Sequence, residues 1–187
     1  VPDSLDATWD IRGDTTVGPV NRVGSTPSTS TTIHKTGAAE LLLTGGRNMA
    51  DDSYTYAPDT FDGTLAVNQG TLVNARRFRE GSSYGTSDGL AGFTVSPTVS
   101  GYDATLISKG FGLQQDNEAV FEGNANGYAI IKPTGYMTDY NGLNIGTTNN
   151  SNVVYFKDKS QFHAKVSGTT SGESDAIGVA GKLDLGA

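Results

Sequence analysis

Cysteine is absent from the 187 residues, and with it go disulfide frameworks, thiolate zinc sites and cysteine nucleophiles. Histidine is almost absent. His34 and His163 are the only two, far apart and with no Glu or His at ligand spacing, so each reads as an exposed strand residue. Basic charge is scarce as well: 13 Lys and Arg face 20 Asp and Glu, and a net charge of −7 argues against nucleic acid, whose phosphates need a basic patch. The nearest approach to one, Arg76, Arg77 and Arg79, reads as a solvated strand end. No apolar run nears the roughly 20 residues of a membrane span, so none is expected. The longest apolar cluster is Leu41, Leu42 and Leu43 with Ala38 and Ala39 before it.

Recognisable catalytic chemistry is missing too. No nucleophile stands with a base, no carboxylate pair marks a cleft, and no glycine loop leads into Lys-Ser/Thr at a helix start, so neither an enzyme nor a cofactor is expected. Asp51 with Asp52, Asp59 with Asp62, and Asp116 with Glu118 offer oxygens to calcium, but none fits the twelve-residue calcium loop, and solvated turns are the reading. Arg12-Gly13-Asp14 spells an integrin-type tripeptide at the end of a strand, where it reads as coincidence. Asn149-Asn150-Ser151 marks a surface loop with a glycosylation pattern. Tyr54, Tyr56, Tyr136, Tyr140 and Tyr155 lie near turns and read as the amphipathic bodies of half-buried strands, with stacking on sugars or packing between subunits as the alternative.

What the chain does contain is glycine, 25 residues of it, with abundant Ser and Thr and only 35% hydrophobic residues. That composition predicts an all-β protein of many short strands and tight turns. Apolar alternation predicts strands over 31–35, 39–43, 63–67, 71–76, 92–99, 104–108, 119–121, 128–132, 136–140, 153–156, 161–166 and 176–185. Asp62-Gly63, Asp88-Gly89, Asn126-Gly127 and Asn141-Gly142 between them are hairpin signals, which points to a sandwich or barrel. A helical turn is conceivable only at 74–80 and 114–121, and no internal repeat at a solenoid period is evident. One sandwich domain over 24–187 is expected, preceded by an extension over 1–23 whose connector, 24–32, is rich in Gly, Ser, Thr and Pro.

The two ends alternate most cleanly. Leu5, Ala7, Trp9 and Ile11 share one strand face near the start, and Ile177, Val179, Gly181, Leu183 and Leu185 share one near the close. Val1-Pro2-Asp3-Ser4 reads as the cut end left by a removed signal peptide, with capsid-type processing as the alternative. The run Leu5-Asp6-Ala7-Thr8-Trp9-Asp10-Ile11-Arg12-Gly13 resembles the N-terminal donor segment of bacterial chaperone–usher fimbrial subunits, in particular their cysteine-free branch. The resemblance covers about ten residues, and two features depart from it: Ala7 stands where glycine is usual, and the chain closes without a near-terminal aromatic. It implies an immunoglobulin-like or jelly-roll-like β-sandwich with an N-terminal donor strand, in which Leu5, Trp9 and Ile11 fill a neighbour's pockets and Ala7 takes the narrowest. It further implies a head-to-tail filament of identical subunits at the cell surface, an assembly chaperone and usher as partners, and a host glycan or protein receptor. A virion component, such as a capsid decoration or tail protein, is the alternative, and a carbohydrate-binding module is a third class.

Overall fold

The fold is described for residues 6–18, 20, 31–44, 61, 63–75, 90–108, 113–133, 143–145, 152–163, 177–179 and 181–186 of a computed structural model. Those residues form strands and turns, with no helix among them. In chain order the strands are β1 (Ala7–Asp10), β2 (Thr15–Val17), β3 (Thr32–Thr36), β4 (Glu40–Leu43), β5 (Thr64–Val67), β6 (Gly70–Asn74), β7 (Leu90–Val95) and β8 (Ala104–Ser108). They continue with β9 (Leu113–Phe121), β10 (Ala129–Pro133), β11 (Leu143–Ile145), β12 (Asn152–Phe156), β13 (Ser160–Phe162), β14 (Ile177–Val179) and β15 (Gly181–Asp184).

Every strand pairing among the described residues is parallel. One sheet runs β1-β3-β5-β7-β9-β12-β15, a second runs β13-β10-β8-β6-β4-β2, and a small third holds β11 and β14. The chain therefore lays one strand on the first sheet, crosses a tight corner, lays the next on the second sheet, and returns one rung further along. Parallel neighbours cannot be joined by a hairpin, and here the crossover that joins them is a strand of the opposite sheet. The last two complete rungs add a third side, where Leu143 pairs with Ile177 and Ile145 with Val179.

This architecture overturns the expected immunoglobulin-like or jelly-roll-like sandwich, which is built from antiparallel hairpins, and with it the N-terminal donor extension. β1 lies in the same sheet as the body of the protein, with Ala7 opposite Ile33 and Trp9 opposite Lys35. β2 likewise pairs with β4, Thr15 opposite Leu41. The expected boundary at 23/24 falls outside the described residues. The region 114–121, weighed as a helical turn, lies in strand β9, and the single strand expected over 176–185 is two: β14 belongs to the third sheet and β15 to the first. Nor is the chain without repetition, since register partners recur at steps of roughly 30 residues, the spacing of a solenoid.

Stacking in register puts like positions above one another. Ile33, Leu65, Phe93, Ala119 and Val154 form one buried column of the first sheet, each opposite the next. Two residues along, Val67, Val95, Phe121 and Phe156 form a second. From the other sheet Leu41, Leu72, Leu106 and Ile131 meet them. The alternation that marks a strand thus fills the space between two sheets, with every second residue turned inward. Phe121 stacks on Phe156 at 5.0 Å between ring centroids and on Phe93 at 6.5 Å, so the rings stack from rung to rung.

Candidate functional site: rung corners and stack ends

Among the described residues, the corners between the two sheets carry most of the side-chain hydrogen bonds. At the corner after β3, Lys35 lies on the inward parity of its strand and is only 2% exposed. Its Nζ donates to the carbonyl oxygens of Gly37 at 2.7 Å, Ala39 at 2.6 Å and Gln69 at 2.7 Å, so all three ammonium hydrogens have an acceptor. The first two carbonyls belong to its own corner and the third to the next rung, which makes the side chain a stitch between rungs. Burial pushes the ammonium down to about 8, against the opposing pull of the Asp10 and Glu40 carboxylates. Gly37 is required in this corner: its φ is +80°, and a Cβ there would lie 2.2 Å from the backbone oxygen of Ile11.

Further along, the corners are stitched by side-chain amides. His34 Nδ1 and Asn68 Oδ1 are 3.0 Å apart, and Asn68 Nδ2 donates to the Ser96 carbonyl of the following rung at 3.2 Å. Asn124 Nδ2 and Asn126 Nδ2 both donate to the Pro97 carbonyl, at 2.8 and 3.3 Å. Lys159 Nζ donates to the Asn124 carbonyl at 3.0 Å, and Lys157 meets Glu122 at 3.3 Å on the surface. Corner carbonyls that no sheet ladder satisfies thus find partners on the neighbouring turn.

The ends of the stack differ from each other. Among the described residues β1, at one end, has β3 as its only neighbour in the sheet, and Trp9, Ile11 and Val17 pack half-buried against the core of their own chain. Ile11 N–H donates to the Thr36 carbonyl and the Ile11 carbonyl accepts from Ala39 N–H, at 3.0 and 3.3 Å. Backbone direction alternates along a strand, so Thr8 and Asp10 turn their N–H and C=O groups to the free edge. At the other end, among the described residues, β15 has only β12 beside it and β13 only β10. Leu185, just past β15, is 71% exposed, and Phe162 stands edge-on to Phe156 at 6.3 Å.

Of the residues expected to form the donor face, Ala7, Trp9 and Ile11 are thus brought together on the inner side of β1 and its continuation, while Leu5 lies outside the described residues. Of the closing run, Ile177 and Val179 pair with β11, and Gly181 and Leu183 pair with β12 opposite Asn152 and Val154. His34 sits half-buried in β3 and His163 is exposed after β13, at opposite ends of the stack. Among the described residues there is no group of three or more His, Cys, Asp or Glu placed to hold a metal. No helix among them is long and apolar enough to cross a membrane.

Arg12-Gly13-Asp14 falls between β1 and β2, where Arg12 pairs with Asp10 at 2.7 Å and Asp14 Oδ1 accepts from Glu40 N–H at 3.0 Å. Asp51, Asp52, Asp59, Asp62, Tyr54, Tyr56, Tyr136, Tyr140, Asn149, Asn150, Ser151 and the Arg76, Arg77 and Arg79 cluster lie outside the described residues. Lys35 is the residue that sequence reasoning missed. Its signal was parity, because it stands two residues after inward Ile33 on an alternating strand. Comparison with family models, curated proteins and solved structures finds no match to this chain.

Proposed function

We propose that the chain is a structural subunit of a surface filament, lengthened by copies of itself that add strands to the two terminal edges of the stack. The observation that carries this reading is the all-parallel pairing. A parallel stack has two different ends, so a second copy meets the first head-to-tail, and such a contact propagates as a filament unless its rotation closes a ring. A free edge is a row of unpaired backbone donors and acceptors, which is the template for strand addition. Side chains support the same junction: Leu185 at one end and half-buried Trp9 at the other present apolar surface where a further rung would bury it. Joining is by edges, with β1 kept in its own sheet.

The test is Thr8→Pro. Thr8 directs its N–H to the free edge, so proline there removes a donor to an incoming strand while the β1–β3 ladder stays whole. Sedimentation velocity and negative-stain microscopy across a concentration series should show wild type growing into linear particles one stack wide, and Thr8→Pro remaining folded and monomeric. Wild type that stays monomeric at every concentration, or a Thr8→Pro variant that assembles as wild type does, overturns the proposal. Antibody labelling of intact cells checks the surface location.

A further inference from the structure

Arg12-Gly13-Asp14, expected at a strand end, lies instead in the corner between β1, which closes at Asp10, and β2, which opens at Thr15. All three residues are exposed, and the Arg12 side chain keeps 87% of its surface open. The backbone around them is held. Ile11 N–H donates to the Thr36 carbonyl at 3.0 Å, Thr15 Oγ1 donates to the Gly13 carbonyl at 2.7 Å, and Asp14 Oδ1 accepts from Glu40 N–H at 3.0 Å. The two charged side chains are not paired with each other: Arg12 Nε donates to Asp10 in its own rung, and Asp14 is drawn to β4 in the next. Nor is Gly13 a glycine that the fold requires. Its φ lies outside the left-handed region and a Cβ on it would meet nothing within 4 Å, whereas Gly37, one rung along, is confined on both counts.

We propose that this corner is a ligand for an integrin-type receptor, a site in which a bound divalent cation takes a carboxylate and an acidic pocket takes a guanidinium. Each residue of the corner meets one demand of such a site. Asp14 offers a carboxylate with one oxygen held by Glu40 N–H and the other left for a hard cation. Arg12 offers a planar fork for carboxylates, and the bridge to Asp10 that it must give up is exposed on both sides and so worth little. A side chain between them would stand against the receptor surface, which accounts for glycine at a position where the fold leaves room for more. Little is lost on ordering the corner, because it is bonded to the next rung before a receptor arrives. The corner offers this ligand whether or not copies of the chain join.

Surface plasmon resonance of the whole chain over an immobilised integrin ectodomain that reads Arg-Gly-Asp, in manganese buffer, tests the proposal. The chain should bind, and EDTA or an excess of free Arg-Gly-Asp-Ser peptide should abolish binding. Gly13→Ala, which the fold accommodates, and Asp14→Glu, which keeps the charge, should each weaken it roughly tenfold or more. Thr16→Ala, exposed in β2, should leave it unchanged, and circular dichroism should show all three variants folded. Absence of binding, binding that persists in EDTA or against the free peptide, wild-type affinity in Gly13→Ala or Asp14→Glu, or an equal loss in Thr16→Ala overturns the proposal.

Discussion

A single inward column of the first sheet has two chemistries. Near its start the column holds Lys35 opposite Val67, and towards its close it holds Phe121 opposite Phe156. The same geometrical position is filled by a hydrogen-bonded ammonium in one region and by stacked rings in the other. A parallel stack evidently asks only that each level be satisfied by the level beside it. Where the corner carbonyls are drawn inward, a buried cation satisfies them; where the corner turns outward and bonds to neighbouring asparagines, the column is free to be apolar. The aromatic region is held by area removed from water, and the Lys35 region by directed bonds to three oxygens.

The largest effect is expected from breaking the aromatic region. Phe121 is fully buried with rings at 5.0 and 6.5 Å on either side, so Phe121→Ala removes transfer energy and leaves a cavity that two ladders keep from collapsing. A loss of about 3–5 kcal/mol is expected in urea unfolding, with Phe121→Leu costing less than half as much. Equal losses from the two variants would mean the rings are not what holds that region.

Lys35→Met comes next. It keeps the volume of the stem and leaves the carbonyls of Gly37, Ala39 and Gln69 without their donor, for an expected loss of about 2–4 kcal/mol at pH 7. Lys35→Ala should regain part of its loss in propylammonium, which can enter the vacated space, while Phe121→Ala should not respond. The pH dependence has a definite sign. The native ammonium gives up its proton at about 8, whereas the unfolded chain keeps it to 10.5, so between those values the unfolded state binds more protons and stability rises with pH. The gap between wild type and Lys35→Met should therefore widen from pH 8 to 10.5 and be level below pH 8.

The strands were legible in the sequence to the extent that alternation reports them: β8 occupies 104–108 as expected, and β4, β5 and β12 lie within a residue of expectation. Their direction was not, because inward and outward residues alternate identically in parallel and antiparallel sheets. Asn126-Gly127 looked like a hairpin, yet the strands it joins, β9 and β10, enter different sheets. The repeat was hidden by corners of unequal length. Leu41, Leu72 and Leu106 occupy equivalent levels, but the chain between successive members differs, and no fixed period survives such variation. The opening strand was read correctly as alternating and wrongly as an extension, since one strand's pattern does not name the sheet that receives it.

The smallest effect sharpens the comparison most, because it sets one lysine against another. Lys157 bridges two rungs as Lys35 does, reaching Glu122 at 3.3 Å and lying 5.7 Å from the Tyr155 ring, but both members of its ion pair are 46% exposed. Water already serves these charges, and holding two long side chains in place costs entropy, so Lys157→Met should cost about 0.5 kcal/mol or less. What remains should fade further in 0.5 M NaCl, which screens surface charges and hardly touches a buried group bonded to carbonyls. Lys35→Met should keep its full cost in the same salt. If the two variants lost similar stability, or shared the same salt dependence, rung-bridging itself would be the stabilising feature. A large, salt-insensitive loss confined to Lys35 assigns the effect to its burial among three carbonyl oxygens.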